Sequence, residues 1–211
     1  MKVGFRSVSF LVSLVLWVLS WSALADLASP PGCVERVFGE YCLGSDILGL
    51  RTRHPDYIHW RQEGRRSALV YQNGGEQDYV MAYRGHIYKV LRQYRPATSS
   101  SYRRLREELR ERFGMPRELS RFPWYARRLS TKITAIKRGE GRALLRWKPA
   151  SRAYCVELSW TTTMGLSVAY IAGDGDDSQC LNGNDDSLVQ TVSQASGTIL
   201  PSSSPPLSEI P

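Results

Sequence analysis

The run SALVYQNGGEQDYVMAYRGHIYKVLRQ, residues 67–93, decides the fold. Three segments within it, Ser67 to Gln72, Asp78 to Tyr83 and His86 to Gln93, are rich in β-branched and aromatic residues, and they are parted by Asn73-Gly74-Gly75 and by Arg84-Gly85. Glycine-bearing pairs of this kind supply the positive φ that tight hairpin turns demand, so the stretch predicts three antiparallel strands. Downstream, Tyr102, Leu105, Leu109 and Phe113 recur at helical steps within Ser99 to Phe113. Gly114 and Pro116 then supply a stop signal, because glycine accepts the cap conformation and proline cannot extend the helix. The opposite face, with Arg103, Arg104, Glu107, Glu108, Arg110 and Glu111, reads as solvated and laced by pairs such as Glu108 with Arg112.

Four further segments, Thr131 to Lys137, Arg142 to Lys148, Tyr154 to Trp160 and Leu166 to Ile171, alternate with turn-forming clusters and read as a second run of strands. Ser45 and Asp46 stand where they can cap a short helix near the front of the chain. The expected architecture is therefore α+β, an antiparallel meander packed by one main helix and a short N-terminal helix, stapled by disulfides.

The chain opens with Lys2 and Arg6, an apolar run from Val8 to Leu19, and Ala23-Leu24-Ala25. Basic start, apolar middle and small-x-small end make an export signal, so residues 1–25 are expected to be removed after Ala25. A retained membrane anchor is the alternative, and Ser-Pro-Pro-Gly in place of a lipobox before Cys33 argues against lipid attachment there. Residues 26–184 form one expected domain, and residues 185–211, rich in Ser and Pro, an expected disordered tail. Four cysteines, Cys33, Cys42, Cys155 and Cys180, follow the signal, and an even count in an exported chain reads as two disulfides. Three pairings exist, of which Cys33 with Cys42 and Cys155 with Cys180 closes the shortest loops. Free buried thiols are the bland alternative, and zinc is disfavoured without a Cys-x-x-Cys pair.

The whole chain carries a formal net charge of +8. Without Lys2 and Arg6, 26 basic against 20 acidic residues leave +6, and six of the acids lie beyond Gly173, where no Lys or Arg stands. A basic body of mostly arginine points to an acidic protein or another anionic envelope component, and in an exported chain not to nucleic acid.

The Leu43-Gly44 start into a short helix, and the helix closing in Phe113-Gly114-Met115-Pro116 ahead of strands, resemble small α+β bacterial envelope domains. Examples are the outer-membrane assembly lipoproteins and the β-lactamase-inhibitor-like domains. The matching stretch is Ser101 to Ile171 plus the residues around Leu43. The resemblance implies a protein-binding role, and the missing lipobox departs from its lipoprotein members.

Catalytic signals are few. His54, His59 and His86 stand in no nucleophile, zinc or phosphate motif, and the spacing of His54 and His59 places them on no common face. Glu107 and Glu108 belong to the solvated helix face, and Glu157 reads as an exposed partner to an arginine. Asp174, Asp176, Ser178, Asn182 and Asp185 sit at calcium-loop spacing, but Gln179 replaces the turn glycine and Asp185 the usual glutamate, so an acidic loop is the preferred reading and no metal or cofactor is expected.

Arg121-Phe122-Pro123-Trp124-Tyr125-Ala126-Arg127-Arg128 interleaves arginines with aromatics. Guanidinium forks grip carboxylates or phosphates, and aromatic faces supply contact area, so Arg121, Trp124, Tyr125, Arg127 and Arg128 form the candidate binding patch. Packing of Phe122, Trp124 and Tyr125 into the core is the competing expectation. The function expected is a non-enzymatic periplasmic or secreted binding protein; the alternatives are an envelope hydrolase acting on cell wall or glycan, and a secreted inhibitor of a hydrolase.

Overall fold

Residues 32–150 and 152–173 are described by the computed structural model. The expected export signal 1–25, the expected tail 185–211, the acidic stretch Asp174 to Asp186 and Cys180 lie outside the described residues.

The hairpins of the opening stretch form as the turns demand. Strands β3 (His59–Glu63), β4 (Arg66–Asn73), β5 (Glu76–Tyr83) and β6 (His86–Tyr94) pair in succession. Tyr83 faces His86 across a two-residue loop in which both Arg84 (φ 51°) and Gly85 (φ 87°) are left-handed. That is the geometry whose twist matches the flanking strands. The second half of the sheet is β7 (Arg117–Glu118), β8 (Ala143–Trp147), β9 (Tyr154–Thr161) and β10 (Gly165–Ala172). All eight strands form one antiparallel sheet in the order β3-β4-β5-β6-β10-β9-β8-β7. It is thus two meanders joined where β6 lies beside β10, in place of one continuous meander. A separate ribbon of β1 (Glu35–Val37) and β2 (Tyr41–Leu43) precedes them.

Helix α1 (Ile47–Arg53) starts where expected, with the Asp46 carboxylate accepting the Gly49 amide at 2.6 Å. Helix α2 spans Ser99–Phe113, capped by Thr98, and buries Tyr102, Leu105 and Leu109. Its charged face pairs Arg104 with Glu108 and Arg110 with Glu107, both at 3.5 Å, while Arg112 reaches Glu35 at 3.3 Å and not Glu108.

The segment 131–137, expected as a strand, is instead part of α3 (Leu129–Lys137). Its β-branched alternation hides a helical set: Leu129, Ile133 and Ile136 step by four and three and all join the main core. Thr131 Oγ1 accepts the Arg128 amide at 3.1 Å and so fixes the first turn.

The main core lies on one sheet face, where Ile47, Leu50, Tyr102, Leu105, Leu109 and Ile136 of the helices meet Leu69, Val80, Leu145, Trp147, Leu158 and Leu166 of the strands. A second buried cluster, drawn from β4, β5, β6, β9 and β10 with Met164 of the β9–β10 turn, sits on the opposite face. Glu157 belongs to that face too; it is buried and accepts from Arg146 Nε at 2.6 Å, so its arginine partner matches expectation and its exposure does not.

Cys33 and Cys42 are bonded to each other, and Cys155, fully buried in β9, is disulfide-bonded as well. Among the described residues no cysteine is free.

Buried tyrosines make the fold sensitive to alkali. Burial, helped by Asp56, Tyr57 and Glu40, pushes Tyr71 up to about 12 from 10.0, and burial raises Tyr41, Tyr94 and Tyr102. The unfolded chain releases these protons first. Stability from Tyr71 is therefore intact below about pH 10 and is lost as the pH rises toward about 12. Urea midpoints measured across that window are expected to fall, less steeply in Tyr71→Phe; identical slopes would contradict the assignment. Tyr83 behaves oppositely, since a hydrogen bond from Arg65 and the charge of Arg84 lower it, and it should ionise first in an absorbance titration.

A basic and aromatic surface beside a cleft

The candidate patch is built on the β8 edge of the sheet. After β7, Leu119 N–H donates to Leu144 O at 2.8 Å, and Arg121 and Arg142 exchange backbone bonds of 2.9 and 2.8 Å. The chain then turns inward at Phe122. A Cβ at Gly141 would lie 2.7 Å from the Phe122 ring, so this approach requires the glycine. Phe122 packs against the main core, and the Lys132 ammonium lies 5.0 Å from its ring centroid.

Beyond Phe122 a tight turn, in which Ala126 N–H donates to Pro123 O at 3.0 Å, buries Ala126 and pushes the residues between outward. Trp124 is 85% exposed and Tyr125 42%. Their rings meet edge to face at 6.1 Å, and the Tyr125 hydroxyl donates to the Glu140 carboxylate. Of the three aromatics, then, only Phe122 packs inward. Arg121, Arg127 and Arg128 are exposed, and among the described residues none of their side chains is ion-paired.

Phe122 is also one wall of a cleft of about 200 Å³ between α2, α3 and the β7–β8 edge. Tyr102, Trp160, Ile136 and Ala143, all buried, form its floor, and Leu129 and Ile133 continue it. Arg103, Arg106, Lys132 and Glu118 complete the lining with Ser120. The Ser120 hydroxyl is held by the Leu144 backbone, accepting at 2.9 Å and donating at 3.4 Å. This cleft was not legible from sequence, because Arg103 read as part of a solvated helix face and the floor comes from segments 58 residues apart.

The remaining sequence candidates are scattered. His54 caps α1 and its carbonyl accepts from Tyr71 at 3.2 Å, His59 opens β3, and His86 opens β6 with Nδ1 3.3 Å from Gly44 O. Among the described residues no group of three or more His, Cys, Asp or Glu side chains is placed to hold a metal ion, and no helix is long and apolar enough to cross a membrane.

No family model matches the chain, and no curated protein matches it. Among solved structures it is similar to a cysteine-rich secretory protein from Staphylococcus aureus subsp. aureus Mu50, at 14% identity and a TM-score of 0.37, over 69% of this chain and 47% of that one. The chain thus spans about half the length of that protein, and nothing of its role is carried over.

Proposed function

We propose that this chain is an exported, non-enzymatic binding protein whose basic and aromatic surface docks on an acidic partner protein. The carrying observation is Trp124. A tryptophan 85% exposed, beside a half-exposed tyrosine and three arginines, forgoes about 1.5–3 kcal/mol of burial that a partner can supply. Unpaired guanidinium forks around it suit carboxylates, which gives the partner its sign.

Export is supported by the N-terminal signal pattern and by disulfides, which persist in oxidising compartments. A hydrolytic reading lacks comparable support in the cleft, where among the described residues Glu118 is the single carboxylate and no histidine is present, and where the Ser120 hydroxyl is already engaged.

The test is capture from envelope extract by the mature chain, beside a copy carrying Trp124→Ala, Arg127→Ala and Arg128→Ala. All three residues are exposed, so the variant is expected to keep its melting curve and to lose at least about tenfold in affinity for a captured acidic protein. Equal capture by both copies would remove the patch from the interface.

A further inference from the structure

We propose that the cleft beside the patch is the anchor pocket of the same interface, receiving one aromatic side chain from a partner segment whose neighbouring residues are Asp or Glu. This rests on the acidic-partner reading above and names the chemistry of the segment that docks. Three observations carry it.

The first is the fit. An apolar cavity of about 150 Å³ accommodates benzene, so the 200 Å³ cleft floored by Tyr102, Trp160, Ile136 and Ala143 takes a phenyl or indole ring. Tyr102 and Trp160 already stand 5.7 Å apart at a 41° tilt, and a third ring extends that cluster with the offset contacts that aromatic faces prefer.

The second is a contrast along one helix. Of the arginines on α2, Arg104, Arg110 and Arg112 each pair with a carboxylate of this chain. Arg103 and Arg106, one turn apart on the cleft rim, have no ion pair among the described residues. With Lys132 opposite, they present cations to any residue flanking the buried ring. Against these three cations Glu118 is the single acid of the lining among the described residues, so the rim is net basic.

The third is continuity. Phe122 walls the cleft on one side and leads directly into Trp124 and Tyr125 on the other. A peptide seated with its ring in the cleft meets the exposed aromatics and Arg121 without leaving the surface. A pocketed anchor ringed by charge is the arrangement that concentrates binding energy at protein interfaces.

The experiment titrates the mature chain with acetyl-Glu-Glu-Phe-Glu-Glu-amide and follows methyl and indole signals by NMR. Binding is expected to move the Ile133, Ile136 and Ala143 methyls and the Trp160 indole. It should be tighter by about tenfold or more than for the Glu-Glu-Gly-Glu-Glu peptide, which lacks the ring, and for Gln-Gln-Phe-Gln-Gln, which lacks the charge. Arg103→Gln with Arg106→Gln should weaken the Phe peptide by about three- to tenfold. Ile133→Trp, which fills the cleft, should reduce it to the level of the Gly peptide; because the peptide comparison on the unaltered protein is decisive alone, misfolding of that variant would not rescue the proposal.

Equal binding of the Phe and Gly peptides, with the cleft methyls unmoved, overturns the anchor while leaving the acidic-partner surface standing. Failure of every acidic peptide to bind sinks both. If 3-phenylpropionate binds as tightly as the Phe peptide, the pocket serves a small aryl acid and the peptide occupant is wrong.

Discussion

Replacing Asp78 with alanine is expected to cost about 3–5 kcal/mol of folding stability, because it removes the fully buried, two-bond partner of a largely buried guanidinium and leaves it only the more exposed Glu76. Asp78 is 0% exposed on β5. It accepts from Arg92 Nε at 2.7 Å and Nη2 at 2.6 Å, and from the Tyr41 hydroxyl at 3.0 Å. Arg92 is sandwiched further: Glu76 lies 3.2 Å away, and the Phe38 ring centroid lies 4.3 Å from its guanidinium carbon. Through Tyr41 and Phe38 the pair clamps the β1–β2 ribbon to the main sheet. Urea denaturation of Asp78→Ala should show the full loss, whereas Asp78→Leu combined with Arg92→Leu should lose less, since no charge is then stranded. A single mutant within about 0.5 kcal/mol of the parent would show that the clamp does not hold the ribbon.

Trp147→Ala is expected to cost a similar amount, about 3–5 kcal/mol, by opening a cavity the surrounding core cannot close. Trp147 ends β8 and is among the largest fully buried side chains, and its Nε1 donates to Gly114 O at 2.9 Å. That bond satisfies a carbonyl just past the C-terminus of α2 and fixes where the helix stops. Loss of Trp147 should therefore also increase hydrogen exchange in the last turn of α2, around Arg110 to Phe113, more than in its first turn. Uniform exchange along the helix would place the damage in the core alone.

How much of this was legible in the sequence follows from where the determining forces act. The hairpins at Asn73-Gly74-Gly75 and Arg84-Gly85 and the whole of α2 were readable, because turn chemistry and an apolar stripe are local. The α3 segment misled because Thr131, Ile133 and Thr134 have strand preferences; burial of Ile136 and Ala135 against the sheet decided the matter. The joining of β6 to β10 brings together residues more than 70 positions apart, and no local signal announces it. The candidate patch divided in the same way. Arg121, Trp124 and Tyr125 are a run that can be seen by eye, while the cleft next to them is assembled from α2, α3, β8 and β9.

The expected pairing of Cys33 with Cys42 is present, as the short loop suggested. On the chain-entropy view, closing so short a loop contributes about 3 kcal/mol. The β1–β2 ribbon it staples is small; it is also held by Val37, Tyr41 and Leu43 in the main core, by the Asp78 clamp and by the Glu35 carboxylate, which meets Arg112 at 3.3 Å and Arg152 at 3.1 Å.

The most direct test of the binding surface is site-specific photo-crosslinking in intact cells, with a benzoylphenylalanine placed at Trp124 and, as control, at Leu48, an exposed apolar residue of α1. The account predicts a discrete adduct from position 124 to an acidic envelope protein, suppressed by Arg127→Ala and Arg128→Ala, and none from position 48. Adducts of equal yield from both positions, or none from position 124, would contradict it.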